Sequence, residues 1–333
     1  MKKTKTTKNY FKNKNIVIFG GAGFIGSNLA IELVKKSANV LVVDSMIDIY
    51  GGNLFNLQPI IKKVKLNFSD IRDIYTLPFL LKNVDIIYVL AGQVSHILSM
   101  DDPITDLDIN CKSQINLLQN CLKLLKKLRI VFASTRQIYG KPQYLPVDEK
   151  HPLEPVDING IHKLAAEKYY TLFNKIYDIP VVVLRLTNTY GERMMIRNNK
   201  QGFLPIWFGK IFNNEKIQVF GSGSQLRDFN YISDVINALL IAGENDKMIG
   251  EIFNLGHHKY YSLFDVAELL KKLVNAKFEF IDFPENLKKI DIGDYYSDYK
   301  KIREFSGWFP RVNLEEGLKK TIDYYLKYKK YYL

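Results

Sequence analysis

The residues with the clearest chemistry lie near the start of the chain: glycines at 20, 23 and 26, then a carboxylate at Asp44. Gly20 permits a tight turn off a strand. Gly23 has no Cβ and lets backbone approach a pyrophosphate, and Gly26 lets a helix lie close to a sheet. The loop reads Gly20-Gly21-Ala22-Gly23-Phe24-Ile25-Gly26, between an expected strand at Ile16–Phe19 and an expected helix at Ser27–Lys36. A helix N-terminus offers unpaired N–H groups and the positive end of its dipole to phosphate oxygens. The next expected strand, Val40–Val43, runs into Asp44, where a carboxylate accepts hydrogen bonds from an adenosine ribose. The same charge repels a 2′-phosphate. The pattern points to a dinucleotide site that prefers NAD to NADP, and hence to hydride transfer.

The elements that must position this loop alternate through the first half. A strand near Val64–Asn67 precedes Asp70-Ile71-Arg72-Asp73, and a buried strand at Asp85–Leu90 runs into Ala91-Gly92-Gln93. A helix is expected over Asp106–Leu125, a strand over Leu128–Ala133, a helix over Gly160–Tyr177 and a strand over Val181–Leu184. Alternation of this kind predicts an α/β fold with a doubly wound parallel sheet. Beyond Arg185 the pattern turns irregular, with loops, short helices and short strands. We read that half as a smaller domain capping the carboxyl edge of the sheet, where open α/β folds bind ligands. The expected division is a dinucleotide-binding domain over residues 1–186, with 228–256 returning to it, and a mainly substrate-binding domain over 187–333.

Bulk properties narrow the function classes. The 333 residues are 47% hydrophobic and 25% charged, ordinary for a globular protein. Lys plus Arg exceed Asp plus Glu by 47 to 35, a net charge of +12. Much of that excess is lysine at the ends, such as Lys2, Lys3, Lys5, Lys8, Lys327, Lys329 and Lys330, without an Arg stripe interleaved with aromatics. A solvated surface that attracts anionic substrates is expected, not a nucleic-acid interface. No apolar run is long enough to span a membrane, and residues 1–15 lack the apolar segment of a signal peptide. Cys111 and Cys121 sit ten positions apart in one expected helix and cannot bridge each other, which suits a reduced, cytoplasmic protein. No His/Cys/Asp cluster has metal-ligand spacing.

Further motifs follow the glycine loop in order: Asp70-Ile71, Leu90-Ala91-Gly92, Asn110, Ser134-Thr135, Ile138-Tyr139-Gly140, Arg185 to Gly191, Arg227-Asp228-Phe229 and Gly307-Trp308-Phe309-Pro310. Together, over Asn15 to about Tyr325, they resemble the extended short-chain dehydrogenase/reductase family, the nucleotide-sugar epimerases and dehydratases. The resemblance implies a Rossmann sheet, a bound NAD and a nucleotide-sugar substrate. It puts Asp70 and Ile71 on the adenine side and Leu90, Ala91 and Gly92 in the cofactor cradle. Phe24, Ile25, Asn110, Lys163 and Leu186 complete the cofactor contacts. Gln93, Gln137, Asn188, Val219, Phe220 and Arg227 fall on the substrate side, Arg227 gripping the diphosphate with a bidentate guanidinium and Val219-Phe220 lying along the base.

The resemblance also implies chemistry. Family members hydrogen-bond the sugar hydroxyl with a Ser/Thr at the position of Thr135, and a Tyr-x-x-x-Lys pair removes its proton. Both side chains of that pair leave one helix face, and the lysine lowers the tyrosine pKa. Here Lys163 is present, but Asn159 stands where the tyrosine is expected, and an amide is no base. A water held by Asn159 and Thr135 is the favoured substitute. His162 reads better as a packed or surface residue, and Asp157 as a helix N-cap. Family dehydratases carry an Asp-Glu pair after the threonine. This chain has Arg136-Gln137, unfit for general acid–base work, so elimination to a 4-keto-6-deoxy sugar is not expected.

Two further expectations concern specificity and assembly. Many relatives have an arginine three residues before the C-terminal Gly-Asp; here Asp291 precedes Gly293-Asp294, so a phosphate contact is lost or moved to Lys288 or Lys289. The helices around Leu117, Leu118, Cys121 and Leu122, and around Leu164, Ala165, Tyr169 and Leu172, match those the family pairs in a homodimer or dimer of dimers. The leading functional expectation is an NAD-dependent 4-dehydrogenase of a nucleotide sugar, such as a GDP-linked heptose or hexose for surface polysaccharide. The alternatives are a UDP-glucose 4-epimerase-like enzyme and an inactive NAD-binding scaffold.

Overall fold

The computed structural model describes residues 9–124, 128–197 and 202–333. The early lysines and Leu125, where the expected helix was to end, lie outside the described residues. Among the described residues the strands are β1 (Asn15–Phe19), β2 (Asn39–Val43), β3 (Lys65–Asn67), β4 (Ile86–Val89), β5 (Arg129–Thr135), β6 (Val181–Leu186), β7 (Asn188–Tyr190), β8 (Ile217–Phe220), β9 (Leu226–Tyr231), β10 (Ile252–Asn254), β11 (Tyr260–Ser262) and β12 (Phe278–Ile281). Seven form one sheet in the order β3-β2-β1-β4-β5-β6-β10, every pairing parallel. The order reverses between β1 and β4, and a ligand crevice forms outside the carboxyl ends of strands at such a switch point.

Alternate residues of each strand enter opposite cores. Ile16 and Ile18 of β1 join one cluster with the helices Phe24–Lys35 and Ile232–Glu244, through Leu29, Leu33, Val235 and Leu239. Val17 and Phe19 join the other with the helices Ser113–Leu122 and Ile158–Tyr177, through Leu117, Leu118, Ala166 and Tyr170. A sheet covered on both faces needs apolar runs, which is why β4 and the first four residues of β6, Val181 to Leu184, read as unbroken hydrophobic stretches.

The expected helix from Asp106 is instead three pieces: Pro103–Leu107, a π turn at Asp108–Lys112, and Ser113–Leu122. The wide turn is held by Gln114, whose side-chain amide donates to the Ile109 carbonyl at 3.0 Å, and by the Ser113 hydroxyl on the same oxygen at 2.6 Å. The second half holds longer helices than its sequence suggested. Phe203–Phe212, Ile232–Glu244, Leu263–Val274 and Leu314–Tyr328 run to 10, 13, 12 and 15 residues. Two small sheets, β11-β9-β7 and β12-β8, complete that half. Among the described residues no helix is long and apolar enough to cross a membrane.

Candidate active site

A cavity of about 380 Å³ opens at the carboxyl ends of β1, β4, β5 and β6. Its floor is the glycine loop. Gly20 takes φ +77°, and a Cβ there would lie 2.6 Å from the Ala91 nitrogen. A Cβ on Gly26 would lie 2.1 Å from the Gly20 carbonyl, so this glycine lets the helix close on the loop. Gly23 is different: a Cβ would meet only the Gly20 oxygen at 3.4 Å, an ordinary contact. No protein atom requires glycine there; the space it leaves faces the cavity, where a pyrophosphate fits. Gly23 is extended and caps the helix, which starts at Phe24 and not at Ser27. Phe24, Ile25 and Gly26, whose first-turn amides have no intrahelical acceptor, line the cavity.

Asp44, next to β2, is fixed before any ligand arrives. Its two oxygens accept the Ala22 and Met46 amides, each at 2.9 Å. Burial pushes its pKa up, against the lowering effect of those amides. Asp70 and Ile71 line the same end, Asp70 paired with Arg72 through two side-chain bonds of 2.8 and 2.9 Å. Leu90, Ala91, Gly92 and Leu186 line the middle. Asn110 lies behind the wall: its Oδ1 is buried without a partner among the described residues, and a Cβ on Gly92 would meet it at 2.9 Å and the Lys163 ammonium at 3.0 Å. These residues fit NAD: the glycine cradle for pyrophosphate, Asp44 for ribose, and Lys163 with an unspent amide oxygen beside Gly92.

Thr135, Gln137, Asn159, Lys163 and Asn188 share the other end of the cavity. Thr135 ends β5 and accepts the Gln137 amide on its hydroxyl at 3.3 Å. Lys163 is buried, and that burial pushes its pKa down to about 8, with Asp106 opposing the fall. Beneath them, Glu167 receives Arg185 through bonds of 2.5 and 3.0 Å and the Ser134 hydroxyl at 2.8 Å, tying β5 and β6 to the helix of Asn159 and Lys163.

The amide nitrogen of Asn159 is committed to the Gln93 carbonyl at 2.7 Å and to Asp106 at 3.1 Å. Asn110 donates to the same two acceptors. That nitrogen has no bond left for the expected water. His162 is outside the lining and pairs with buried Asp106 at 2.7 Å. Asp157 is an N-cap, accepting the Gly160 amide at 2.6 Å. Two polar cavity residues carry no signal in a reading of local spacing. His96 stands 2.8 Å from Asp157, far off in the chain. Arg136, though foreseen as no acid or base, donates to Asn188 at 3.1 Å.

Four substrate-side residues fall outside the lining. Gln93 is buried, its side chain bonded to Ser95, and it serves the site through its main-chain carbonyl. Val219 is fully buried in the core, and Phe220 leans on Phe283. Arg227 is buried and bonded to the carbonyls of Leu226 and Gly293 and to Asp291. Asp291 thus faces the arginine expected to grip the diphosphate, at 3.4 Å. Lys288 pairs with Glu285. No cluster of three metal-ligating side chains occurs among the described residues.

Residues 16–256 match a family model described as the NAD dependent epimerase/dehydratase family. A putative UDP-glucose 4-epimerase of Methanocaldococcus jannaschii is 35% identical over 93% of this chain and 97% of its own. The crystal structure of UDP-glucose 4-epimerase with UDP-glucose from Thermotoga maritima superposes with a TM-score of 0.86, at 30% identity over 95% of this chain and 99% of that one. The structure of UDP-glucuronic acid 4-epimerase from Bacillus cereus, in complex with UDP-glucuronic acid and NAD, superposes at 0.83, with 27% identity over 94% and 99%. Its cofactor is NAD, and the chain belongs to the NAD-dependent epimerase/dehydratase family of nucleotide-sugar enzymes, of the extended short-chain dehydrogenase/reductase type.

Proposed function

We propose that the protein oxidises C4 of a nucleotide-activated sugar and releases the 4-keto product, acting in surface polysaccharide assembly. One observation carries the reading. Thr135 and Lys163 open on the same cavity as the glycine loop, while the residues after Thr135 are Arg136 and Gln137. NAD, when bound, supplies the hydride acceptor. Thr135 would hold the C4 hydroxyl, and Lys163 would hold the nicotinamide ribose through its ammonium. Arg136 and Asn188 are polar groups for the rest of the sugar. Neither Arg136 nor Gln137 is suited to drive elimination at neutral pH, so the reading includes no elimination after hydride transfer. Homodimerisation is part of this reading. Leu117, Leu118 and Cys121 are covered within the subunit, but Ile104, Leu122, Ile161 and Leu172 are 40 to 66% exposed on adjoining helices.

A second reading, 4-epimerisation, is favoured by the named relatives. There the hydride returns to the opposite face and no NADH accumulates. The test is to mix purified protein, NAD and UDP-glucose, UDP-glucuronic acid, GDP-mannose, CDP-glucose or dTDP-glucose, following nicotinamide absorbance and analysing the sugar. Accumulating NADH with a keto sugar supports the dehydrogenase. A C4 epimer without NADH supports the epimerase, and no change in any mixture leaves only an inactive NAD-binding scaffold.

A further inference from the structure

Removing hydride from C4 leaves a hydroxyl proton to be placed, and Asn159 cannot take it. Among the described residues the titratable side chains lining the cavity are Asp44, Tyr50, Asp70, His96, Arg136 and Lys163. Asp44 and Asp70 belong to the adenosine end, and burial pushes Tyr50 up, away from a useful base. Arg136 keeps its proton. Lys163, at about 8, is mostly charged at neutral pH. That leaves His96, the first residue of the helix His96–Asp101.

His96 is built as a base. Its side chain is 31% exposed, while its partner Asp157 is 1% exposed. Nδ1 lies 2.8 Å from Oδ2 of Asp157, and the other Asp157 oxygen caps the helix carrying Asn159 and Lys163. The imidazole is therefore registered to the catalytic helix through one carboxylate. A carboxylate at Nδ1 takes the proton there and leaves Nε2 with the lone pair. With Nδ1 protonated, the Gln137 side-chain amide donates to Nε2 at 2.8 Å, so a sugar hydroxyl reaches that lone pair by taking the place of the amide; the Gln137 main-chain amide donates to the Thr135 hydroxyl. Imidazole, Gln137 and Thr135 form a continuous stretch of cavity wall. By contrast, His162 and Asp106 pair behind it.

We infer that His96, oriented by Asp157, accepts the C4 hydroxyl proton in place of the missing tyrosine; this rests on the C4 oxidation proposed above. The C4–H bond breaks with its electron pair leaving as hydride to NAD. The O–H bond breaks with its proton passing to Nε2, and its electron pair becomes the second bond of the C4 carbonyl. The imidazolium so formed stays beside the Asp157 carboxylate.

The test uses the full chain with the sugars named above, comparing wild type, His96→Gln and His96→Ala. Both variants are expected to lose about 100-fold or more in kcat, the usual contribution of a general base. KM and NAD affinity, read by fluorescence quenching, stay within about threefold of wild type, and added imidazole restores about tenfold to His96→Ala. Independently, ¹⁵N NMR of the His96 ring, assigned by its loss in His96→Gln, shows the Nδ1–H tautomer. A kcat within about threefold of wild type in His96→Gln overturns the inference, as does an Nε2–H tautomer. So does a loss that imidazole leaves unchanged while NAD affinity falls with it. A wild type inactive on every sugar overturns the C4 reading itself, and this inference with it.

Discussion

Lys163 carries a burial cost at the place where we propose it holds the nicotinamide ribose. Burial disfavours its ammonium, moving the pKa from 10.5 to about 8. Below about pH 8 folded and unfolded chains both carry the charge, and the burial penalty is present in full. Between about 8 and 10.5 the unfolded chain holds more protons, so stability of the cofactor-free protein rises with pH. Lys163→Met should therefore abolish turnover yet raise stability at pH 7 by about 1–3 kcal/mol, with the rise between pH 8 and 10.5 gone. Denaturant melts across pH check it, and a destabilised variant contradicts it. Asp44 makes a second residue-scale case. Asp44→Asn removes the charge proposed to receive the ribose hydroxyls and repel a 2′-phosphate. It should weaken NAD about tenfold, the worth of one charge-assisted hydrogen bond, and narrow the NAD-over-NADP preference. Calorimetric titration with both cofactors measures this, and an unchanged preference counts against Asp44 as the selector.

At the scale of elements, the glycine loop was legible because its whole logic is local: strand, turn, helix and acid follow within thirty residues. Motif order singled out Thr135 and Lys163, and both line the cavity. The π turn was not legible, since the apolar spacing of a continuous helix fits its residues equally well; side-chain bonds from Ser113 and Gln114 to Ile109 decide it. His96 was hidden because its meaning depends on Asp157, brought to it only by the fold. Arg227, expected on the diphosphate, is buried outside the cavity lining, and its contact with Asp291 comes from a distant loop that local spacing does not show. The buried Arg185–Glu167 pair, with the Ser134 hydroxyl on the same carboxylate, locks β6 and β5 to the helix of Asn159 and Lys163. Glu167→Ala strands a buried guanidinium and should cost about 3–5 kcal/mol, read as a lowered midpoint in urea. A shift under 1 kcal/mol would remove this pair from the account of what holds the site.

For the whole molecule, β10 returns after β9 to extend the parallel sheet beside β6. The intervening helix Ile232–Glu244 covers one face of that sheet, and it also anchors the C-terminal segment. The Trp308 indole donates to the Asp234 carbonyl at 3.0 Å, and the Asp234 carboxylate accepts the Arg311 and Val312 amides. The Gly-Trp-Phe-Pro stretch was recognisable as a motif, but its docking partner lies too far away in sequence to be read. Exposed Ile161 and Leu172 belong to the face proposed to pair two subunits. Ile161→Glu with Leu172→Glu should turn a dimer into a folded monomer in sedimentation, with an unaltered circular dichroism spectrum. A wild type that sediments as a monomer contradicts the pairing.

The central claim is that hydride leaves C4 of a nucleotide sugar. Its most direct measurement is a nucleotide sugar deuterated at C4, incubated with the protein and unlabelled NAD, with the nicotinamide examined by mass spectrometry. The account predicts deuterium in the reduced cofactor, in step with a keto sugar that takes up a second label at C4 when reduced with borodeuteride. Label retained on the sugar, or reduced cofactor carrying only protium, would contradict it.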